Sequence, residues 1–193
     1  MKQQKRFFTL IEILTVAAII AILSGISIGV VFLINNKNAE AKTQATIKAL
    51  EMALTRFKAE NGYIYLPPGK TSSDMKKPIM LTVPNPKDAS NASLNLKGTL
   101  LKYLDEQLLR SSTVVDGTNL YFVDAWGHPL IYRIPGKFNT SGFDLGSVGP
   151  DGKLGDGKPT DKEITKTELT KISATNYANY FGQGDDITNF LRN

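Results

Sequence analysis

FTLIEILTVAAIIAILSGISIGVVFLI, residues Phe8–Ile34, governs how the rest of this 193-residue chain is read. Lys2, Lys5 and Arg6 precede it, and inside it only Glu12 is ionisable. Roughly 20 apolar residues in a helix cover the hydrocarbon core of a bilayer, so the stretch predicts a single transmembrane helix. The basic head places the N-terminus in the cytoplasm and the bulk of the chain beyond the inner face. A secretory signal peptide would have a shorter apolar core and a small-residue cleavage site at its end. A buried helix of a soluble domain would show a polar face within six turns. Neither fits. A carboxylate within an apolar segment is costly and points to a function with a cationic partner, which singles out Glu12.

Outward from this stretch the helical pattern continues. Residues 35–42 are polar, after which Ile47, Leu50, Leu54 and Phe57 recur at helical spacing on one face. Lys48, Glu51, Arg56 and Lys58 fall largely off that stripe. Asn61-Gly62 supplies a C-terminal cap, and no proline occurs before Pro67. The expectation is one continuous helix from about Phe8 to Glu60, roughly 80 Å long, apolar in its first half and amphipathic in its second. Gly25 and Gly29 form a small-xxx-small pair that lets helices approach closely. Glycine is also simply common in membrane helices, and both readings stand.

Residues 63–97, rich in Pro, Ser, Asn and Lys, read as a long connection. Residues 98–109 (GTLLKYLDEQLL) read as a short amphipathic helix, with Asp105-Glu106 on a solvated face rather than as an acid/base pair. Leu120–Val123, Leu130–Ile134 and Gly142–Ser147 read as three strands of an antiparallel meander against the long helix. Between the first two lies the turn DAWGHP, where His128 is a turn residue rather than a catalytic base and Trp126 belongs to the core. This is an α+β chain with one small domain after its helix.

Composition narrows the function. Net charge is +5, partly from the basic head, and no basic stripe interleaved with aromatics suggests nucleic acid. The chain has no cysteine and one histidine, and it lacks both a nucleophile elbow and a phosphate-binding Gly-Lys loop. No enzyme is read from it.

The string Phe8-Thr9-Leu10-Ile11-Glu12 resembles the class III signal of type IV pilins and pseudopilins. The resemblance implies a leader over residues 1–7, cut by a prepilin peptidase between Phe7 and Phe8, with N-methylation of Phe8. It also implies pairing of Glu12 with the new amine of a neighbouring subunit during assembly. The family nearly always has Gly before the cut, where this chain has Phe7.

Further along, Glu60-Asn61-Gly62-Tyr63 resembles the pseudopilin segment ENGxYP, DAWGHPLIYRIPG resembles DPWGNPYxYxxPG, and FDLGSVGPDG resembles YDLxSxGPDG. In the calcium-binding major pseudopilins of type II secretion, GPDG and DDITNW stand almost contiguous. Here residues 156–181 separate GPDG (149–152) from DDITNF (185–190). Carried over, the resemblance implies calcium held by Asp151 and Asp185, then Asp186, with the backbone carbonyl of Val148. These are hard oxygen donors of the kind calcium takes, although an Asp-Gly turn alone would be an ordinary turn. The insertion is expected either to form a surface lobe or to bring further ligands such as Asp156 and Asp161.

The resemblance thus implies a pilin-like fold: a long N-terminal helix over 8–34 and beyond, packed on a small antiparallel β-meander, and a head over 35–193 with a C-terminal calcium loop. It implies an inner-membrane, single-pass subunit with a periplasmic head that polymerises into a helical filament and drives protein export across the outer membrane. Its expected partners are copies of itself, minor pseudopilins, the assembly platform and ATPase, and the prepilin peptidase. A pilin-like subunit for adhesion, motility or DNA uptake is the alternative, and the missing cysteines of the usual pilin disulfide loop count against it. A membrane-anchored enzyme or calcium-dependent binding module is a third class.

Overall fold

The computed structural model describes residues 9–91, 98–155, 163–169 and 171–190, leaving aside the side chains at 26–30, 32, 75 and 174. Helix α1 spans Leu10–Asn61 without a break. It starts where Thr9 caps it: the Thr9 amide and hydroxyl donate to Glu12 Oε2 at 2.7 and 2.8 Å, and the Glu12 amide donates to Thr9 Oγ1 at 3.3 Å. This reciprocal capping box satisfies amides that have no partner within the helix. The helix stops at Gly62, whose φ of +78° reverses the chain cheaply while its amide donates to the Lys58 carbonyl.

The chain divides into a unit of residues 1–38 and a second of residues 39–193. In the first, Leu10, Ile11, Ile13, Leu14, Val16, Ile19, Ile20, Ile22 and Leu23 are each more than half exposed. Among the described residues no helix is long and apolar enough to cross a membrane.

The second unit is built on the stripe Ile47, Leu50, Leu54 and Phe57, all buried as its spacing predicts. Each such side chain contributes about 1.5–3 kcal/mol by leaving water. Phe57 meets Tyr63, Tyr65 and Tyr103 edge-on at 5.4, 5.2 and 5.9 Å. Thr43 and Thr46 extend the buried face: Thr43 Oγ1 accepts the Ala125 amide, and the Thr46 and Ser112 hydroxyls meet at 3.3 Å.

The strands form two sheets rather than one meander. β1 (Ile79–Met80), β5 (Ile131–Arg133), β6 (Asp144–Ser147) and β7 (Ile187–Thr188) pair antiparallel in the order β1-β5-β6-β7. β2 (Thr82–Pro84), β4 (Asn119–Phe122) and β3 (Thr113–Asp116) pair antiparallel in the order β2-β4-β3. The first predicted strand therefore belongs to a different sheet from the other two; a bridge between Val123 and Pro129 and backbone hydrogen bonds among Leu81, Phe122 and Leu130 join the two sheets. The connection over 63–97 contributes an edge strand to each sheet. The segment 98–109 is a 3-10 turn, Leu100–Tyr103, followed by α2 (Glu106–Ser112). Asp105 separates the two because its carboxylate accepts the Gln107 amide at 2.8 Å and caps α2.

Sheet β1-β5-β6-β7 is covered on both faces. Tyr132 and Leu145, opposite each other in register, join the cluster around α1. Ile131 belongs to a second cluster with Val148, Leu154, Ile164, Leu169, Tyr177 and Phe181. Four of these seven come from the inserted segment, which carries α3 (Lys166–Leu169) and α4 (Ala174–Tyr180). Over its described residues the insertion is a packed layer of the head, not a lobe standing off it. Asp156 and Asp161 lie outside the described residues.

Candidate functional site

The two acidic blocks meet where β6 and β7 end. Gly146 pairs with Thr188 and Ser147 with Ile187, and Asn189 clamps the junction by accepting the Leu145 amide at 2.8 Å. After the buried Val148, Gly149 and Gly152 both take φ of +70°, a conformation in which a side chain is strained. A Cβ on Gly149 would sit 2.5 Å from the Asp185 carbonyl oxygen and 2.8 Å from Asp185 Oδ2, so this turn lies directly on Asp185. The Asp151 amide points to Asp185 Oδ2 at 3.4 Å, and Asp151 Oδ1 accepts the Lys153 amide at 2.7 Å.

Asp186 ties the blocks together most tightly. Its Oδ2 accepts the Gly182 amide at 2.7 Å and the Gly155 amide at 3.0 Å, one from each side of the insertion. Its Oδ1 is buried and has no hydrogen-bond partner among the described residues. Burial pushes the Asp186 carboxyl up to about 7; the two amides pull it down, while the charges of Asp185 and Asp151 raise it further. An open groove of about 660 Å³ reaches Asp185 and Asp186 beside Glu40, Lys48 and Glu51 of α1.

Among the described residues no three His, Cys, Asp or Glu side chains converge tightly enough to cage a metal by themselves. Calcium, however, fills its shell with backbone carbonyls from glycine turns as well as carboxylates. A buried carboxylate oxygen without a partner, in the field of two other acids, is a donor set that a hard cation fits. The structure thus brings Asp151, Asp185, Asp186 and the turn after Val148 into one neighbourhood across the insertion.

The turn DAWGHP lies against the same loop. Asp124 Oδ1 accepts the amides of Trp126 and His128 at 2.9 and 2.8 Å, and Asp124 Oδ2 accepts the Ser147 hydroxyl at 2.5 Å. His128 is buried, with Nδ1 3.0 Å from the Gly149 carbonyl and Nε2 3.1 Å from Glu163 Oε1. Both ring nitrogens face acceptors, which favours the doubly protonated ring. Its pKa is accordingly raised, first by the hydrogen bond to Asp124 and against the opposing pull of burial. Trp126 is half-buried, with its indole N–H buried and unpartnered among the described residues.

At the other end of the chain, Phe7 and Phe8 lie outside the described residues. Glu12 is spent on its own helix terminus through the Thr9 capping box. The pattern T-x-x-E ahead of an apolar run is a sequence signal for that role. A Cβ on Gly25 would meet nothing within 4 Å, and the surroundings of Gly29 lie outside the described side chains.

Comparison with known proteins agrees with these motifs. Residues 107–167 match the family model described as type II secretion system (T2SS), protein G. Over 155 residues the chain is 31% identical to a protein of Pseudomonas aeruginosa named type II secretion system core protein G, covering 80% of this chain and 89% of that one. No solved structure matches. This is a family of structural subunits rather than enzymes, in keeping with the absence of catalytic motifs from the sequence. The chain belongs to the type II secretion system protein G family, the major pseudopilins.

Proposed function

We propose that this chain polymerises through its N-terminal helix into a periplasmic pseudopilus that drives folded proteins through the outer membrane. The observation that carries this reading is the first unit's apolar surface. From Leu10 to Leu23 its large side chains point outward on every side of the helix, and no described residue of the unit covers them. Water is a poor neighbour for such a surface; lipid before assembly and the helices of other copies after it are good ones. With Lys2, Lys5 and Arg6 ahead of it, the helix is an inner-membrane anchor whose head lies in the periplasm.

Processing between Phe7 and Phe8, followed by methylation of Phe8, would deliver a new amine close to Glu12. Glu12 would exchange part of its hydrogen bonding with Thr9 for the amine of a neighbouring copy, registering each newcomer. Minor pseudopilins, the platform protein and the ATPase would start the filament and supply the work.

In the head, Asp151, Asp185 and Asp186, with the Val148 carbonyl, would hold calcium. The ion would supply a partner for the Asp186 oxygen that has none among the described residues, beside the carboxylates of Asp151 and Asp185. By their amide bonds Gly155 and Gly182 orient Asp186, and the Gly149 turn presents Asp151 to Asp185. The loop would then close without the disulfide that a cysteine-free chain cannot form.

Deleting the gene tests the secretion reading against a pilus role. Secreted proteins should accumulate in the periplasm while surface fibres, twitching and DNA uptake persist, and the wild-type gene should restore export. Loss of fibres with normal export would refute it.

A further inference from the structure

We infer that His128 and Glu163 form a clasp that positions the Gly149–Asp151 turn for the cation, so that the acid loop stays closed although residues 156–181 divide it. The inference rests on the calcium reading of that loop and adds two residues that are not ligands.

Gly149 is held at both of its polar atoms. Its amide donates to Ser147 Oγ at 3.0 Å, and its carbonyl faces His128 Nδ1 at 3.0 Å. Both partners are locked by one carboxylate, since Asp124 accepts from the Ser147 hydroxyl and from the His128 amide. Gly149 in turn lies against Asp185 and stands two residues before Asp151. Displacing its carbonyl would therefore move one acid-bearing turn relative to the other.

Glu163 closes the far side. The insertion returns to the turn at this point: the Ile164 amide donates to the Gly152 carbonyl at 2.6 Å, and Glu163 Oε1 meets His128 Nε2 at 3.1 Å. There is no spare room, because a Cβ on Gly152 would fall 2.6 Å from Glu163 Cγ and 2.8 Å from His128 Nε2. Ile164 and Leu169 are then buried immediately afterwards. A long excursion between ligands is thereby cut into a short loop closed at Gly152 and a packed segment beyond it, which lowers the entropy lost on closing the site. His128 works from both ring nitrogens at once, on the turn and on the insertion.

The test is calcium affinity of the full-length chain in mild detergent, measured by calorimetric titration, alongside melting in chelator. Glu163→Ala suits it because that side chain is 62% exposed and the fold can spare it. We expect Glu163→Ala and His128→Ala to weaken calcium binding about fivefold or more, the worth of one hydrogen bond. Glu163→Gln, which still accepts from the imidazole, should stay within about twofold of wild type. The chelated melting temperature of Glu163→Ala should be nearly unchanged, whereas a merely structural role would lower it and leave affinity alone. Wild-type affinity in Glu163→Ala would overturn the clasp while leaving the calcium site standing. Absence of calcium binding by the wild type would overturn the calcium reading itself, and the clasp with it.

Discussion

Replacing Asp186 with Asn separates the cost of its carboxylate from its use. In the folded chain Asp186 keeps its proton up to about pH 7, against an ordinary value of 3.8, chiefly because it is buried. Between those two values the native state binds more protons than the unfolded state, so stability falls as pH rises. The penalty is absent below pH 3.8, grows through the interval and is complete above 7. Each tenfold change in proton affinity is about 1.36 kcal/mol, which sets a ceiling of about 4 kcal/mol. Asparagine keeps an oxygen for the Gly155 and Gly182 amides and carries no charge. Its amide group inherits the buried position of Oδ1, so about half the ceiling, about 2 kcal/mol, is the expected relief. For a chain of this size that corresponds to a melting temperature about 4–8 °C higher. The assay is thermal melting of the full-length chain in detergent with chelator, at about pH 3 and about pH 8, on either side of the interval over which the penalty grows. Asp186→Asn should gain on wild type at the alkaline end and match it at the acid end. On the proposed calcium site the order should reverse in calcium, because wild type would gain RT ln(1 + [Ca²⁺]/Kd) and the variant would lose most of it. A variant that melts below wild type in alkaline chelator, or that keeps the full calcium response, would refute the argument.

Two further outcomes follow from the sheet that faces the insertion. Gly146→Ala would place a methyl 2.7 Å from the Ile187 carbonyl and 2.8 Å from both Phe181 and Thr188. Overpacking there should cost about 1–3 kcal/mol in denaturant unfolding and loosen β7, which would weaken binding at the proposed calcium site. Tyr177→Phe removes the hydroxyl that donates to the buried Asp144 at 3.0 Å. Asp144 would keep the amides of Lys137, Phe138 and Asn139, so the loss should be about 1–3 kcal/mol, read as a lower denaturation midpoint with unchanged slope.

How far the fold is legible in the sequence depends on the length over which a pattern repeats. Ile47, Leu50, Leu54 and Phe57 span three turns, and their spacing alone picks out the buried face of α1. The edge strands Ile79–Met80, Thr82–Pro84 and Ile187–Thr188 are too short to show any alternation, and they form because the central strands offer them partners. A subtler signal lies in Leu130, Ile131 and Tyr132. They are apolar in succession, as suits a strand covered on both faces, and the second cover is the insertion. Likewise Thr9 stands three residues before Glu12, a capping pattern hidden behind the expectation of an intersubunit partner. At the site, the convergence of GPDG and DDITNF is legible from the motifs. The unpartnered oxygen of Asp186 is not, since it depends on where Gly155 and Gly182 fall in space.

Each described sheet margin is also blunted. β1 and β7 are two residues long, β2 ends in Pro84, and β3 ends in Asp116, which is paired with Lys166 of the insertion. Short margins, proline and charge are the features that keep unpaired backbone from recruiting another chain's strand. For a subunit that works in many copies held side by side, this matters more than it would for a solitary protein. Crowding that favours contact between helices would equally favour amyloid-like contact between strands. With the strand route blunted, the proposed filament would depend on its stems for contact between copies.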